Sequence, residues 1–220
     1  MKTLIIRAAL VLGIFGLAFL FAWFYMQPDY KTLPYYNPSD VNEELYDVSL
    51  KGKGRGHIIQ NFRLTDQEGK NFTEQQLKGK VYMADFFFTT CPSICLDMAK
   101  TKRWLQTEME SYPDFLMVSH TVMPEVDSVS VMAAYANAQN AQYGRWFLLT
   151  GQRDSIYKLA RQSYLVAKEP SETEKSHDFI HTENFVLVDR EGRIRGFYNG
   201  TDLKDVERLA ADAKWLLNRP

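Results

Sequence analysis

The N-terminal part of the chain is uniformly apolar, whereas the rest alternates apolar and polar positions with the periods of strands and helices. From Ala8 to Met26 no charged side chain interrupts the sequence, and this run is long enough to cross a bilayer as one helix. Lys2 and Arg7 precede the run, and such a positive flank is expected to stay in the cytoplasm. We therefore predict one transmembrane helix at residues 1–26, with the remaining chain on the outer side of the membrane.

A cleaved signal peptide is the alternative interpretation of this N-terminus. Signal peptides end in small residues at a cleavage site, whereas this run ends in aromatic residues between Phe21 and Tyr25. Aromatic side chains are typical of the membrane interface. The N-terminus also lacks the arginine- and serine-rich character of a transit peptide. These features favour a single-pass protein of a bacterial inner membrane, with its C-terminal domain in the periplasm.

Beyond the anchor, the pattern predicts a linker and one folded domain. Residues 27–56 are rich in proline and glycine with little apolar periodicity, which indicates a linker. Residues 57–220 form the predicted domain, which opens with a β-hairpin that turns at residues 66–70. Further strands are predicted at residues 81–88, 115–122, 146–149, 184–189 and 194–198, and helices at residues 92–109, 128–138, 155–163 and 203–216.

Strands that alternate with helices, closed by a hairpin and a last helix, predict an α/β domain whose mixed sheet is covered on both faces. Two cysteines lie at the junction of a central strand and its helix. This arrangement indicates a thioredoxin-like fold with an N-terminal β-hairpin extension, preceded by one transmembrane helix.

Composition narrows the possible functions. The 220 residues include 26 basic and 27 acidic side chains, a net charge of −1, which excludes a strongly basic nucleic-acid binder. Hydrophobic residues make up 45% of the chain, enough for an ordinary core. Only two cysteines are present, so the chain is not a disulfide-stabilised scaffold. Two thiols at one place indicate a chemical rather than a structural role.

The two cysteines, Cys91 and Cys95, are the strongest candidates for a functional site. A helix N-terminus favours a thiolate over a thiol, so we expect a lowered pKa at Cys91. Their C-x-x-x-C spacing differs from the C-x-x-C of thioredoxin-type oxidoreductases. Residues four apart on a helix have Cβ atoms roughly 5–6 Å apart, against about 3.8 Å in a relaxed disulfide. A metal ion tolerates the wider gap, although a disulfide or a pair of structural cysteines remains an alternative.

Two thiolates favour Cu(I) or Zn(II), and an added imidazole suits either metal. Among the four histidines, His181 precedes a predicted strand where a thioredoxin-like sheet brings it over the start of the cysteine-bearing helix. A loop hydrogen bond is the alternative role for this side chain. The other three histidines are weaker metal-ligand candidates. His57 fits an exposed position, His120 a core position and His177 a loop position equally well.

Two further features bear on the chemistry. Asp85, in the strand before the cysteines, is a candidate for tuning their protonation or for an ordinary hydrogen bond. Between Pro170 and Pro220 the chain contains no proline, whereas thioredoxins place a cis-proline opposite their active thiols. This absence weakens the prediction of a disulfide reductase. The methionines at strand and helix positions are expected to fill the core, namely Met83, Met98, Met117 and Met132.

Four segments of the sequence resemble the Sco/SenC family of copper-handling proteins. The likeness rests on DFFFTTCPSIC, VSHTVMPEVDS, RWFLLTG and IHTENFVLVDREGRIRGFY. It implies a thioredoxin-like domain that binds one copper ion, Cu(I) or Cu(II), through Cys91, Cys95 and His181. The implied partners are cytochrome c oxidase subunit II or another copper-site protein, and a thiol reductant. Leu96 and Met123 depart from the family pattern, which has proline and aspartate there, and neither departure removes a ligand.

Other functions remain open at this point. A membrane-tethered thiol–disulfide oxidoreductase would use Cys91 as nucleophile and Cys95 as resolving thiol. A redox or metal sensor that docks on a partner through an acidic surface is a further alternative.

Overall fold

The computed structural model describes residues 7, 12–21, 32–52, 54–167 and 182–218, and it divides the chain into the units Met1–Leu33 and Pro34–Pro220. In the first unit, residues 12–21 are helical and their side chains are exposed. Within the described residues, no helix is both long and apolar enough to span a membrane. Residues 1–6, 8–11 and 22–26 of the predicted anchor lie outside the described residues.

The second unit is built on one seven-stranded mixed sheet. Its strands are β1 (Arg63–Asp66), β2 (Asn71–Thr73), β3 (Val81–Phe87), β4 (Phe115–Thr121), β5 (Trp146–Thr150), β6 (Asn184–Val188) and β7 (Ile194–Asn199). They are ordered β2-β1-β5-β4-β3-β6-β7. The central strands β3, β4 and β5 are parallel to one another, and antiparallel hairpins close both edges. The predicted mixed α/β sheet and its N-terminal hairpin are therefore confirmed.

Helices cover both faces of this sheet, which is why all seven residues of β3 and of β4 are buried. The helices are α1 (Ile94–Glu108), α2 (Val129–Ala138), α3 (Arg153–Gln162) and α4 (Leu203–Leu217). On one face, α1 packs against α4 and covers the side chain of Asp85 in β3. On the other face, Tyr82, Ala84 and Phe86 join a hydrophobic cluster with residues of α3.

The segment predicted as a linker is partly folded, and this corrects its predicted extent. From Pro34 on, the chain belongs to the folded unit, and the Tyr36 N–H donates to the Ile194 carbonyl at the sheet edge, 3.0 Å away. Tyr46 and Leu50 are 5% and 3% exposed and join the hydrophobic cluster behind α3. Prolines and short 3-10 helices interrupt this segment, so its buried side chains do not recur with the period of a helix or a strand. The apolar pattern of the sequence therefore does not predict their burial.

Element boundaries agree with the predictions to within two residues for most strands and helices. The helix that carries Cys95 begins at Ile94 rather than at Pro92, because residues 92 and 93 form a bend before it. Ser128 caps α2 by accepting a hydrogen bond from the Val131 N–H. Thr73 and Gln76 form a capping box on a short 3-10 helix.

Candidate metal centre

The two cysteines lie where β3 leaves the sheet and α1 begins. Cys91 precedes the helix, and its N–H donates to the Phe88 carbonyl, 3.3 Å away. Cys95 lies in the first turn of α1. Both side chains are buried, at 6% and 5% exposure, and both are free thiols. Each thiol shifts the pKa of the other, and the chain holds a reduced dithiol at the end of its central strand.

The surroundings make the two thiols unequal. Burial opposes ionisation of Cys91, but hydrogen bonds from the Cys95 thiol and from the Ser93 and Cys95 backbone outweigh it and lower the pKa of Cys91. Burial and, after it, the hydrogen bond to Cys91 raise the pKa of Cys95 to about 12, whereas the charge of Lys102 acts in the opposite direction. The expectation of a lowered pKa at Cys91 is met.

This inequality predicts selective alkylation of the reduced protein. Iodoacetamide at mildly alkaline pH is expected to modify Cys91 at least about tenfold faster than Cys95, because the thiolate is the nucleophile. The two side chains are almost equally buried, so accessibility does not explain such a difference. Peptide mass spectrometry over a time course measures both rates. Equal rates, or faster modification of Cys95, would contradict the assigned asymmetry.

A buried carboxylate, Asp127, ties the cysteine loop to the neighbouring strand. Asp127 is fully buried and accepts hydrogen bonds from the Thr89 N–H, at 3.2 Å, and from the Thr89 hydroxyl. It also accepts a hydrogen bond from the Thr121 hydroxyl at the end of β4. The Asp127 carbonyl in turn accepts from Thr150 at the end of β5, at 3.0 Å. The Asp127 side chain thus links the carboxyl ends of β3 and β4, and its backbone carbonyl adds the end of β5.

A buried polar network lies behind α1. The Lys102 ammonium lies 2.6 Å from Asp85 Oδ2 and 3.2 Å from Ser119 Oγ, and Ser119 also donates to Asp85. The Trp146 indole N–H donates to Ser119, at 2.9 Å. Of the two roles considered for Asp85, the structure shows the buried hydrogen-bonded one, with an ion pair to Lys102.

His181 lies outside the described residues, but the segment that follows it is described. β6 runs antiparallel to β3 with Val186 opposite Ala84, so β6 starts at the edge where β3 leaves toward the cysteines. The Glu183 carbonyl accepts a hydrogen bond from the Gly200 N–H, 2.7 Å away. The Gly200 carbonyl accepts one from the hydroxyl of Thr101 on α1. The start of β6 is therefore tied to the cysteine-bearing helix.

The other histidines have different environments. His57 Nε2 lies 2.7 Å from the Ser163 carbonyl, so its ring holds a loop in place. His120 is fully buried in β4 among aromatic rings, and burial lowers its pKa to about 4, which keeps its imidazole neutral. His177 lies outside the described residues.

The four methionines expected in the core are buried there, namely Met83, Met98, Met117 and Met132.

The donor set suits a soft metal ion. Among the residues the structure describes, no three His, Cys, Asp or Glu side chains gather into a metal-binding group. The described donors are thus the two thiols, which are free and adjacent, and thiolates of this kind select Cu(I) or Zn(II) over hard cations. One further donor from the undescribed segment before Thr182 would complete a three-coordinate site.

Sequence reasoning missed the residues that organise the site. The sequence assigned no role at this site to four residues, namely Asp127, Lys102, Ser119 and Trp146. One signal was available for Lys102, because it lies seven residues after Cys95 on the inward face of α1. Leu105 is also buried on that face, whereas Trp104 is half-buried.

Known proteins resemble this chain in sequence and in structure. The SCO1/SenC family model matches residues 51–218. The SCO1 protein homolog of Bacillus subtilis is 31% identical over 159 residues, which cover 71% of this chain and 81% of that protein.

Two solved structures share the fold at 27–28% identity. BsSco, described as having a disulfide switch and as a member of the Sco family of cytochrome c oxidase assembly proteins, is 27% identical with a TM-score of 0.65, covering 76% of this chain and 96% of that chain. ScoI of Bradyrhizobium japonicum, solved with copper bound, is 28% identical with a TM-score of 0.57, covering 73% and 99%. The domain that presents Cys91 and Cys95 is accordingly a Sco domain, and the chain belongs to the SCO1/SenC family.

Proposed function

We propose that this chain is a membrane-anchored copper chaperone that binds one copper ion through Cys91, Cys95 and His181. The ion is its cargo, and the recipient is the dinuclear copper site of cytochrome c oxidase, on subunit II, or another copper-site protein. The observation that carries the proposal is the pair of free, buried thiols at the start of α1. The copper bound to ScoI, a relative of the same fold, supports the choice of metal.

The choice of His181 as third ligand rests on chain connectivity. Thr182, the next residue, is buried, and its hydroxyl accepts a hydrogen bond from the Asn184 N–H, 3.1 Å away. Together with the link from Glu183 through Gly200 to α1, this anchors the residues directly after His181 at the cysteine end of the sheet. This anchoring supports His181, the residue before Thr182, as the third ligand.

Release of the cargo follows from the chemistry of these ligands. Copper is held by two thiolates and one neutral imidazole, and incoming thiolates and imidazoles of the recipient displace them in turn. The Asp127 hydrogen bonds keep the loop that carries Cys91 in one conformation during this exchange. Because all three ligands must be deprotonated, protons compete with copper, and the affinity falls as the pH is lowered.

The proposed cellular setting depends on the apolar N-terminus. An anchor at residues 1–26 in a bacterial inner membrane would keep the domain in the periplasm, beside the outward-facing copper site of an oxidase. A thiol reductant in the same compartment is the second proposed partner, because only the reduced pair binds the metal. Residues 12–21, which are described, form an exposed apolar helix that agrees with this role.

A metal titration of the full, reduced chain tests the proposal. We expect one equivalent of Cu(I) to bind, with an affinity that decreases from pH 8 to pH 6. A chromogenic Cu(I) chelator that competes for the ion measures both quantities. Zn(II) titrated in parallel reports selectivity for the soft monovalent ion. Binding of no metal, or of Zn(II) in preference to copper, would contradict the proposed cargo.

A thiol–disulfide oxidoreductase is the second candidate, and the unequal thiols favour it. A Cys91 thiolate would attack a target disulfide, forming a mixed disulfide and releasing one target thiolate. Cys95 would then attack the Cys91 sulfur, releasing the second target thiol and leaving a Cys91–Cys95 disulfide. This reaction needs no histidine, so it predicts that His181→Ala keeps full exchange activity, whereas copper binding is expected to be lost.

A further inference from the structure

A buried ion pair behind the cysteines has no part in the function proposed above. The side chains of Lys102 and Asp85 are 1% and 0% exposed. Removing two charges from water costs several kcal/mol per ion, and apolar residues of similar size are often equally stable at such places. The stability of the fold therefore does not by itself explain the buried pair, because an apolar side chain at this position of α1 would avoid the desolvation cost.

The network leaves no strong polar group of the pair unused. Asp85 accepts from Lys102 and from Ser119, and Ser119 accepts in turn from Trp146. The Lys102 ammonium also lies over two aromatic rings, 4.9 Å from the centre of Phe87 and 5.1 Å from that of Trp146. Fixed on every side, the ammonium cannot turn toward solvent, so its charge is held in one place.

That place is on the inward face of α1, the face that also carries Cys95. Cys95 and Lys102 are both buried side chains of α1, seven residues apart. Seven residues are about two helical turns, or roughly 10 Å along the axis, and both side chains therefore share the inward face. A charge at this depth is screened by salt much less than a surface charge. Lys102 accordingly acts electrostatically on Cys95.

We propose that Lys102, held by Asp85 and Ser119, acts on the metal site through its fixed positive charge. Two thiolates that hold a monovalent copper ion carry one net negative charge, and the ammonium stabilises that charge from behind the helix. Asp85 moderates the effect, so the total charge of the buried pair sets the affinity. The inference rests on the proposed function, since it concerns copper held by Cys91 and Cys95.

Two substitutions separate this role from a structural one. Asp85→Asn removes the negative charge and keeps the shape, whereas Lys102→Gln removes the positive charge and keeps a donor for Asp85. Both are expected to destabilise the fold, because each breaks a buried pair. Their effects on Cu(I) affinity should nevertheless be opposite, with a roughly tenfold gain for Asp85→Asn and a roughly tenfold loss for Lys102→Gln.

Lys100→Gln is the matched control. Lys100 lies on the same helix and carries the same charge, but its side chain is 67% exposed and pairs with Asp97 at the surface. Its removal should change the affinity less than about twofold. Shifts in the same direction for both buried variants, or shifts no larger than the control, would overturn the inference. If Lys102→Gln does not fold, Asp85→Asn decides alone, since a loss or an unchanged affinity contradicts the proposal.

A measurement without metal keeps this test separate from the proposed function. The reduced dithiol carries more negative charge than the Cys91–Cys95 disulfide, so the reduction potential against glutathione should be higher in Asp85→Asn and lower in Lys102→Gln. If the wild-type chain binds no copper, the proposed function fails while these potentials still decide the electrostatic role. Equal potentials in both variants and the wild type would reject it.

Discussion

Replacing Cys91, Cys95 or His181 by alanine is expected to abolish stoichiometric copper binding. The two thiolates and the imidazole are the whole proposed ligand set, and each supplies one of only three bonds to the ion. Changes to residues that merely support a metal ligand typically cost roughly 10–100-fold in affinity. Loss of a ligand itself should exceed that range in each of the three variants. Competition with a Cu(I) chelator at fixed pH measures the effect.

The chain offers matched controls for both ligand types. Ser93 lies between the cysteines with its hydroxyl 4.0 Å from the Cys91 sulfur, and Ser93→Ala should change the affinity less than about tenfold. His177 lies four residues before His181, and His177→Ala removes an imidazole from the same segment. Wild-type affinity in His181→Ala would remove the third ligand from the proposal and favour thiol–disulfide exchange.

Asp127→Ala is expected to lower the free energy of unfolding by about 3 kcal/mol or more. The carboxylate is fully buried and is shared by the Thr89 N–H and hydroxyl and by the Thr121 hydroxyl. Its removal leaves the buried Thr121 hydroxyl and the half-buried Thr89 donors without this acceptor and opens a small cavity behind the cysteine loop. Urea denaturation of the reduced protein measures the change, with the slope of the transition as a check on two-state behaviour.

Glu125→Ala is the control from the same loop. Glu125 has a side chain that is 59% exposed, and its ion pair with Arg153 is long, at 3.9 Å. Exposed pairs of this kind contribute little, so a change within about 0.5 kcal/mol is expected. Equal destabilisation by the two alanine variants would show that the loop, rather than the buried carboxylate, sets the stability. A weaker copper site in Asp127→Ala alone would further link the carboxylate to the geometry of Cys91.

The two large effects have different physical origins. The ligand variants remove atoms that bond the cargo, whereas Asp127→Ala removes hydrogen bonds that link the ends of two strands, β3 and β4. The buried pair behind α1 adds a third kind of effect, since it changes charge without removing a bond to the metal. Comparing affinity with stability across these variants separates binding, positioning and electrostatics.

Several predictions from the sequence stay predictions. The anchor at residues 1–26 stays a prediction, because only residues 7 and 12–21 of it are described. The ligand role of His181 stays one as well, because His181 lies outside the described residues. The fold, by contrast, is confirmed by the strand order and by relatives of known structure. The membership in the SCO1/SenC family is confirmed as well, since the family model covers residues 51–218.

The sequence by itself determined the order of strands and helices and the position of the cysteines at the start of α1. Both follow from local periodicity and from the residue types at a strand–helix junction, which depend on neighbours along the chain. Only the tertiary structure decided the roles of Asp127, Asp85 and Lys102. Asp127 and its partner Thr89 are 38 residues apart in the sequence, and Lys102 and its partner Asp85 are 17 residues apart. Such contacts form only when the sheet brings distant segments together, so no local pattern encodes them.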